Sequence, residues 1–288
     1  MRTRPVNWMD NPNADRVKRV AQLAGRSAVR NRRQRFLAEG PQSATEAIRA
    51  HLGLLDLSAQ TAQFWPKDHT VAEVYYTQRL SSSHPELAGY IGKITGDVFV
   101  AEASDEVMHA MSDAVVHQNI IVVAHLPRVD LKPTPDAQLV ASMVRVQDPG
   151  NAGTIIRTAD AAGVDYVIAT QRSVDVYNPK TVRSSAGSLF HVPVYTNIDL
   201  REFVAAYQGR VFAADGYGDL SLDEAPAAAL MQATAWLFGN EAQGLDTDER
   251  DLADQRVSVP LYGRAESLNV ATAATICLYS SAMAQRGG

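Results

Sequence analysis

Three short segments in the second half of the sequence combine glycine with polar side chains in a pattern that could hold a ligand. The first covers residues 148–153 (DPGNAG) and continues to Arg157. Proline and glycine would end a preceding strand, and glycine lets the backbone approach a bound molecule closely. Asn151 could cap the helix that follows, and Arg157 would lie nearly two turns along it, not far from the same face. Taken singly, these residues are better explained as a helix cap and a surface charge.

The other two segments also follow apolar strands. Residues 237–245 (LFGNEAQGL) lead from a buried strand into two glycines that bracket Asn-Glu-x-Gln, which is either a tight turn or a binding loop. Residues 259–270 (VPLYGRAESLNV) form a turn that ends at Gly263. Ser267 could then cap the last helix, with Asn269 in its first turn. Free backbone N–H groups at such a helix start can bind the polar edge of a ligand.

A fourth glycine-rich segment, residues 216–218 (GYG), looks like the start of a dinucleotide-binding fingerprint because it follows a predicted strand. Ser221 replaces the third glycine of G-x-G-x-x-G, and no clear helix with a suitably spaced acidic residue completes the unit. We therefore predict a plain loop here. A nucleotide- or NAD-dependent enzyme of the Rossmann type is correspondingly disfavoured.

The elements that must position these segments alternate between strand and helix, which predicts an α/β domain with a mainly parallel sheet. Ligands of such sheets gather at the carboxyl ends of the strands, where all three segments fall. Asn178 is the predicted N-cap of one helix, with Pro179 at its first position. The predicted strands cover residues 138–146, 165–169, 210–214, 233–238 and 257–259, and the predicted helices cover residues 153–162, 178–188, 199–207 and 267–284.

The first half of the chain is predicted to be a smaller α/β domain. Ser43 and Glu46 have capping-box spacing at the start of one of its helices. Its predicted strands cover residues 35–39, 71–76, 98–101 and 120–124, and its helices residues 14–28, 43–54, 85–94 and 105–113. Three prolines in residues 126–136 indicate a semi-rigid spacer. The predicted organisation is therefore a domain over residues 1–126, a linker over residues 127–136 and a second domain over residues 137–288.

Charge is distributed unevenly along the chain. The net charge is −5, yet residues 1–40 hold ten Lys and Arg against three Asp and Glu, and five of those cations fall in residues 26–35. This concentration favours a polyanionic partner such as nucleic acid over a solvated basic helix.

The remaining composition bounds the class of protein. One cysteine, Cys277, lies in an apolar run and is predicted to be a core residue; it leaves no partner for an intrachain disulfide or a cysteine-rich zinc site. We expect no metal. No apolar run is long enough for a transmembrane helix, and the N-terminal residues lack a signal-peptide pattern, so we expect a cytoplasmic protein without a membrane partner.

Read in order, N-x-G-x-x-x-R, L-F-G-N-E-x-x-G and P-x-x-G-x-x-E-S-L-N-V resemble the three signature motifs of the SpoU/TrmH family of RNA ribose 2′-O-methyltransferases. Residues 178–190 (NPKTVRSSAGSLF) resemble the same family, and the likeness covers about residues 136–288. A weaker likeness links residues 32–41 (RRQRFLAEGP) to the substrate-binding domain of rRNA-modifying members, which is similar to ribosomal proteins that bind kinked RNA. Ala242 and Ala271 stand where the family commonly has glycine and serine.

The resemblance implies a C-terminal α/β fold with a deep trefoil knot, a homodimer, and S-adenosylmethionine as cofactor. It also implies these site residues: Asn151, Arg157, Glu241, Ser267 and Asn269 for catalysis, and Leu237, Gly239, Val259, Leu261 and Leu268 for the cofactor. With RNA as the expected substrate, the basic stretch predicts RNA binding by Arg30, Arg32, Arg33 and Arg35. In the family proposal Arg157 takes the hydroxyl proton. Because a neutral guanidine is costly, Arg157 could instead hold an RNA phosphate and stabilise charge on the oxygen.

The expected reaction is methylation of the ribose 2′-hydroxyl in structured RNA, with 23S rRNA favoured. A tRNA target, a self-protecting resistance methylase and a non-catalytic RNA-binding ribosome assembly factor are the alternatives that the sequence leaves open.

Overall fold

The computed structural model of the chain describes residues 7–127 and 131–287. These residues form two compact units. The first holds the described residues up to 127 together with Tyr177–His191, and the second holds residues 131–176 and those from Val192 onward. Arg2 and Arg4 of the basic N-terminal segment and residues 128–130 of the predicted linker lie outside the described residues.

The elements are numbered in chain order. The strands are β1 (Asn7–Met9), β2 (Arg35–Glu39), β3 (Val71–Tyr76), β4 (Phe99–Ala103), β5 (Ile120–His125), β6 (Leu139–Met143), β7 (Tyr166–Thr170), β8 (Val194–Ile198), β9 (Arg210–Ala214), β10 (Leu220–Ser221), β11 (Thr234–Phe238) and β12 (Gln255–Ser258). The helices are α1 (Asp15–Ala24), α2 (Ser27–Arg33), α3 (Pro41–His51), α4 (Ala59–Phe64), α5 (Arg79–Ser83), α6 (Pro85–Ile91), α7 (Asp105–Met111), α8 (Pro149–Ala162), α9 (Pro179–Ser184), α10 (Leu200–Ala206), α11 (Ala227–Leu230), α12 (Thr247–Arg250) and α13 (Val270–Arg286).

The first unit is built on a mixed sheet with the strand order β1-β4-β3-β5-β2. The continuous apolar run of β5 lies between β3 and β2 and is antiparallel to both. On one face, Val17, Val20 and Leu23 of α1 lie in a core cluster with residues of α7 and the sheet. Their spacing of three residues places them on one side of the helix, as the sequence pattern predicted.

Helix α3 starts earlier than predicted. Pro41 occupies its first turn, so Ser43 lies inside the helix and does not cap it; its hydroxyl donates to the Val182 carbonyl at 3.2 Å. Glu46 accepts hydrogen bonds from Arg49 and lies 2.9 Å from His191, so the predicted capping box is wrong.

Residues 177–191 were assigned from the sequence to the second domain, but in the structure they pack within the first unit. Arg183 pairs with Glu39, whose side chain is completely buried, and also with Asp113. Trp65 Nε1 donates to the Leu189 carbonyl at 3.0 Å. A buried carboxylate needs a partner, so the Arg183–Glu39 pair fixes where this segment packs.

The second unit is built on a sheet with the strand order β10-β12-β9-β11-β6-β7-β8, in which every pairing is parallel. The prediction of an α/β fold with a mainly parallel sheet is confirmed. All residues of β6, β7 and β11 are buried, as expected of strands covered on both faces. Helix α13 packs on α8 and on β11, and its Cys277 is fully buried.

Among the residues that the structure describes, no helix is both long and apolar enough to cross a membrane. Within those same residues, no three His, Cys, Asp or Glu side chains cluster in a way that could hold a metal ion.

Candidate active site

A cavity of about 370 Å³ lies in the second unit at the carboxyl ends of β9, β11 and β12. Its walls come from the loops that follow these three strands and from the start of α13. Two of the three segments singled out in the sequence, those that begin at Leu237 and Val259, contribute to it directly. The position agrees with the rule that parallel sheets bind ligands at this edge.

The loop after β11 folds back on itself. Asn240 and Gly244 form an antiparallel bridge through their backbones, and Asn240 Oδ1 accepts hydrogen bonds from the backbone N–H groups of Ala242 and Gln243. A Cβ atom on Gly239 would lie 2.4 Å from the carbonyl carbon of Gly244. Glycine is required at this position because backbone passes where a side chain would have to be.

Glu241 connects this loop by hydrogen bonds to the segment at the start of α8. Its Oε1 atom accepts hydrogen bonds from the Asp148 backbone N–H at 2.9 Å and from Asn151 Nδ2 at 3.1 Å, and its Oε2 atom accepts one from the Gln147 N–H. Asn151 Oδ1 in turn accepts from Asn269 Nδ2 at 2.9 Å. The three sequence segments are therefore linked by a chain of side-chain hydrogen bonds from Glu241 through Asn151 to Asn269.

The helix caps differ from the predicted ones. Asp148, rather than Asn151, caps α8, and its side chain accepts from the Asn151 backbone N–H. Asn269, rather than Ser267, caps α13, and its Oδ1 atom accepts from the N–H groups of Ala271 and Thr272. Because Asp148 takes the capping role, the amide of Asn151 is free to bridge Glu241 and Asn269.

The electrostatics of Glu241 follow from these contacts. Partial burial of the carboxylate opposes its ionisation, but the hydrogen bonds from the backbone of Asp148 and Gln147 and from Asn151 outweigh that effect and hold the pKa of Glu241 below its ordinary value. The side chain is therefore an anion that accepts hydrogen bonds at neutral pH and is not placed to donate a proton.

Arg157 and Ser267 are both exposed, and they occupy different places. Ser267 lines the cavity, whereas Arg157 lies on the solvent-facing side of α8 and does not contribute to the cavity wall. Of the five predicted catalytic residues, the structure thus connects Asn151, Glu241 and Asn269 by hydrogen bonds, places Ser267 in the cavity wall, and leaves Arg157 outside it.

Four of the five residues predicted to hold the cofactor line the cavity: Gly239, Val259, Leu261 and Leu268. Leu237 does not. It is fully buried in β11, and its neighbours on both sides are the strands β6 and β9.

The loop after β9, which the sequence indicated to be a plain loop, also lines the cavity. It contributes Asp215, Gly216 and Tyr217. The Asp215 side chain is 11% exposed, and its Oδ2 atom is buried without a hydrogen-bond partner, although guanidinium nitrogens of Arg250 and Arg256 lie 3.6 and 3.9 Å away. A single Asp after a buried strand was the only sequence signal for it.

Arg145 restrains the loop after β11. Arg145 Nε and Nη2 donate to the two carboxylate oxygens of Glu249 at 2.5 and 2.6 Å, and Nη2 also reaches the Gly244 carbonyl. Glu249 completes a capping box with Asp246 at the start of α12. Such a two-pronged pair restricts both partners more than a single contact does.

The arginines predicted to bind RNA lie in the first unit and do not share one environment. Arg30 is only 2% exposed and donates to the carbonyls of Leu23 and Gly25, which ties the end of α1 to α2. Its burial does not fit direct contact with RNA, and this corrects the assignment for Arg30. Arg32 is exposed, while Arg33 and Arg35 are partly exposed.

Comparison with known proteins identifies the family to which the chain belongs. Residues 138–279 match the model of the SpoU rRNA Methylase family. The chain is 39% identical over 181 residues to the 23S rRNA (guanosine(2553)-2′-O)-methyltransferase RlmP of Bacillus subtilis (strain 168), an alignment that covers 61% of this chain and 69% of that protein. It is 35% identical over 192 residues to the 23S rRNA (uridine(2479)-2′-O)-methyltransferase of Streptomyces viridochromogenes, covering 63% of this chain and 66% of that one.

A solved structure is similar over almost the whole chain. The SpoU methyltransferase AviRb from Streptomyces viridochromogenes, in complex with the cofactor AdoMet, superposes with a TM-score of 0.77 at 28% identity, covering 96% of this chain and 100% of that one. The chain therefore belongs to the SpoU family of RNA methylases. It spans about two thirds of the length of the curated relatives named above.

Proposed function

We propose that this protein is an S-adenosylmethionine-dependent RNA methyltransferase that methylates a ribose 2′-hydroxyl in 23S rRNA. The observation that carries the proposal is the hydrogen-bonded chain of Glu241, Asn151 and Asn269 beside the cavity at the strand ends. Both curated relatives are named as 2′-O-methyltransferases of 23S rRNA. A tRNA target is less supported, because these relatives and the N-terminal likeness both favour rRNA.

The residues around the cavity fit the cofactor. The loop after β11, in which the backbone of Gly244 passes close to Gly239, lines one part of the cavity. Val259, Leu261 and Leu268 form an apolar wall of the cavity. Asp215 lines the cavity, and its carboxylate is the kind of group that accepts from a hydroxyl or amino group of a bound molecule. S-adenosylmethionine supplies a methyl group on a sulfonium, which is already a good leaving centre.

The protein's main contribution to this chemistry is alignment. A sulfonium needs little activation, so the reaction is accelerated by bringing the ribose oxygen to the methyl group in the right geometry. Glu241 and Asn269 hold Asn151 from two sides, which fixes the direction of its amide. We assign Asn151 to orient Arg157 or the ribose, and Ser267 and Asn269 to shape the rim of the site.

We assign Arg157 to the incoming RNA. A guanidinium is a poor base because its neutral form is costly, so Arg157 is better suited to hold a phosphate and to stabilise charge on the attacking oxygen than to accept the proton. Its exposure on α8 allows a large substrate to reach it.

We further propose that the second unit is knotted as the family resemblance implies, that the protein is a cytoplasmic homodimer, and that the first unit binds RNA. Helices α8 and α13, the first and the last of the second unit along the chain, pack against each other, and this packing is compatible with the knot. On α13 the apolar side chains of Tyr279 and Met283, four residues apart on one face, are 39% and 65% exposed, which supports a partner there.

The experiment that tests the function is transfer of labelled methyl from S-adenosylmethionine to total RNA from cells lacking the gene, with the products separated by size. Label in large-subunit rRNA is the expected result. Label in tRNA alone would contradict the rRNA assignment and keep the chemistry. Absence of label from both free RNA and isolated ribosomal particles, with the cofactor still bound, would favour the assembly-factor alternative.

A further inference from the structure

The first unit contains a cavity of about 320 Å³ that the methyl-transfer site does not use. It lies where β5 ends and β3 begins, and it falls within the size range of small-ligand pockets, about 300–1,000 Å³. Most of its lining residues carry rings: Phe64, Trp65, Pro66, His69, His125 and Pro127. Phe64 and Trp65 are buried, whereas Pro66 and His69 are exposed. The Trp65 ring is held in place by its hydrogen bond to the Leu189 carbonyl.

Polar groups converge on the same place. His69 and His125 line the cavity, and His51, whose Nδ1 atom accepts from the Val71 backbone N–H, is close enough to act on His125 electrostatically. Burial, followed by the positive charges of Arg35 and of the other two imidazoles, lowers the pKa of His125 to about 4. His125 is therefore neutral at physiological pH, and a neutral imidazole offers both a donor and an acceptor.

The cavity adjoins the basic stretch of residues 26–35. His125 is the register partner of Arg35 in the pairing of β5 with β2, and the Leu126 N–H donates to the Gln34 carbonyl. Leu126 is itself a cavity residue, and Gln34 directly follows the end of α2, whose last turn carries the exposed Arg32 and the partly exposed Arg33. A site that takes a ring thus lies beside side chains that can hold a phosphate.

We propose that this cavity binds a single unpaired nucleobase of the RNA substrate, with an adjoining phosphate held at Arg35. Unstacked bases of loops and bulges are recognised by stacking on aromatic side chains, histidine included, and by hydrogen bonds to their edges. The exposed His69 supplies the ring on which the base stacks, the partly buried His125 supplies hydrogen-bonding groups, and Arg35 supplies the charge. The inference rests on the proposed function, since it assigns to the first unit a means of selecting non-helical RNA.

The test is fluorescence anisotropy of the full-length protein with two fluorescein-labelled RNAs, a hairpin with an unpaired loop and a fully paired duplex. His69→Ala removes an exposed cavity side chain, and His109→Ala removes an exposed histidine on α7 as a matched control. Since stacking of one base contributes about 1–3 kcal/mol, His69→Ala should weaken hairpin binding about fivefold or more, leaving duplex binding unchanged. His109→Ala should bind both RNAs like the wild type.

Equal hairpin affinity of His69→Ala and His109→Ala would overturn the proposal. A second measurement uses 4-thiouridine in the hairpin loop: cross-links to residues 63–70 or 125–127 would support the cavity, and cross-links found only elsewhere would count against it. Methyl transfer by the wild type is measured in parallel. If the wild type binds the hairpin through this cavity but methylates no RNA, the proposed function fails and the binding site stands.

Discussion

Asn269 donates its side-chain amide to the Oδ1 atom of Asn151 across 2.9 Å, so the residue that caps α13 is bonded directly to the first turn of α8. These residues are 118 positions apart in the sequence. The other end of the Asn151 amide donates to Glu241, in the loop that lines the cavity. A substitution of Asn151 therefore removes side-chain contacts that link the starts of α8 and α13 to the cavity loop.

Asn151→Ala should lower kcat/KM for methyl transfer about ten- to a hundredfold, since hydrogen bonds to charged groups contribute about 1.5–3 kcal/mol. The melting temperature should change little, because the contacts are at the surface. Asn151→Asp should be more damaging at pH 7, because it puts a second carboxylate beside Glu241, and should recover partly as the pH falls. A wild-type rate for Asn151→Ala would show that the chain of amides is not needed for alignment.

Arg157→Ala should abolish methyl transfer and leave S-adenosylmethionine binding nearly intact, since Arg157 does not line the cavity. Arg157→Lys keeps the charge but not the planar guanidinium, and should retain only a small fraction of the activity. Isothermal titration with the cofactor and single-turnover methyl transfer separate the two effects. A parallel loss of cofactor binding and activity would refute the assignment of Arg157 to the RNA side.

The elements and the cavity loops were largely predictable, for a physical reason. Strands β5 and β11 contain runs of apolar residues, 120–124 and 235–238, that are bounded by polar or glycine residues, and short runs of this kind are typical of buried strands. The loop from Leu237 to Leu245 was recognisable because glycine and polar side chains follow one of these runs.

What could not be predicted depends on contacts between distant residues. Asp148 and Asn151 are both good caps, and only the folded chain shows that Asp148 caps while Asn151 bridges two loops. Arginine is usually a surface residue, yet Arg30 is buried because its guanidinium donates to the carbonyls of Leu23 and Gly25. Asp215 was missed because nothing in the sequence shows that this residue lines the cavity.

Glu241 predicts a dependence of cofactor binding on acid pH. Its pKa is lowered in the folded protein, so its contribution to the loop is present above its ordinary pKa of 4.5 and is lost as the pH falls through the lower, folded value. Cofactor affinity of the wild type, measured by titration, should thus be steady from pH 7 down to 4.5 and fall only at more acid pH. Glu241→Gln should bind more weakly at pH 7 and lose less on acidification. The same acid dependence in both proteins would assign it to other carboxylates.

Gly239→Ala should disrupt the cavity loop. The added Cβ atom would lie 2.4 Å from backbone of Gly244, so the loop must move, at a cost of about 1–3 kcal/mol typical of overpacking. We expect a lower melting temperature and cofactor affinity reduced at least tenfold. Gly263→Ala is the control, because a Cβ atom there meets no heavy atom within 4 Å. If both variants bind S-adenosylmethionine alike, the close approach at Gly239 is not what shapes the site.

Asp215→Asn tests whether the Asp215 carboxylate at the cavity wall is a cofactor ligand. The substitution keeps the size of the side chain and removes its charge, so a hydrogen bond from the cofactor to the carboxylate would be weakened, with affinity lower by about tenfold. Asp219→Asn is the matched control, because Asp219 also pairs with Arg256 but is 70% exposed and lies outside the cavity wall. Titration calorimetry with S-adenosylmethionine should separate the two variants. Equal affinities would mean that the ion pairs of Asp215 with Arg250 and Arg256 fully account for its burial, and that the cofactor is held by backbone and apolar contacts alone.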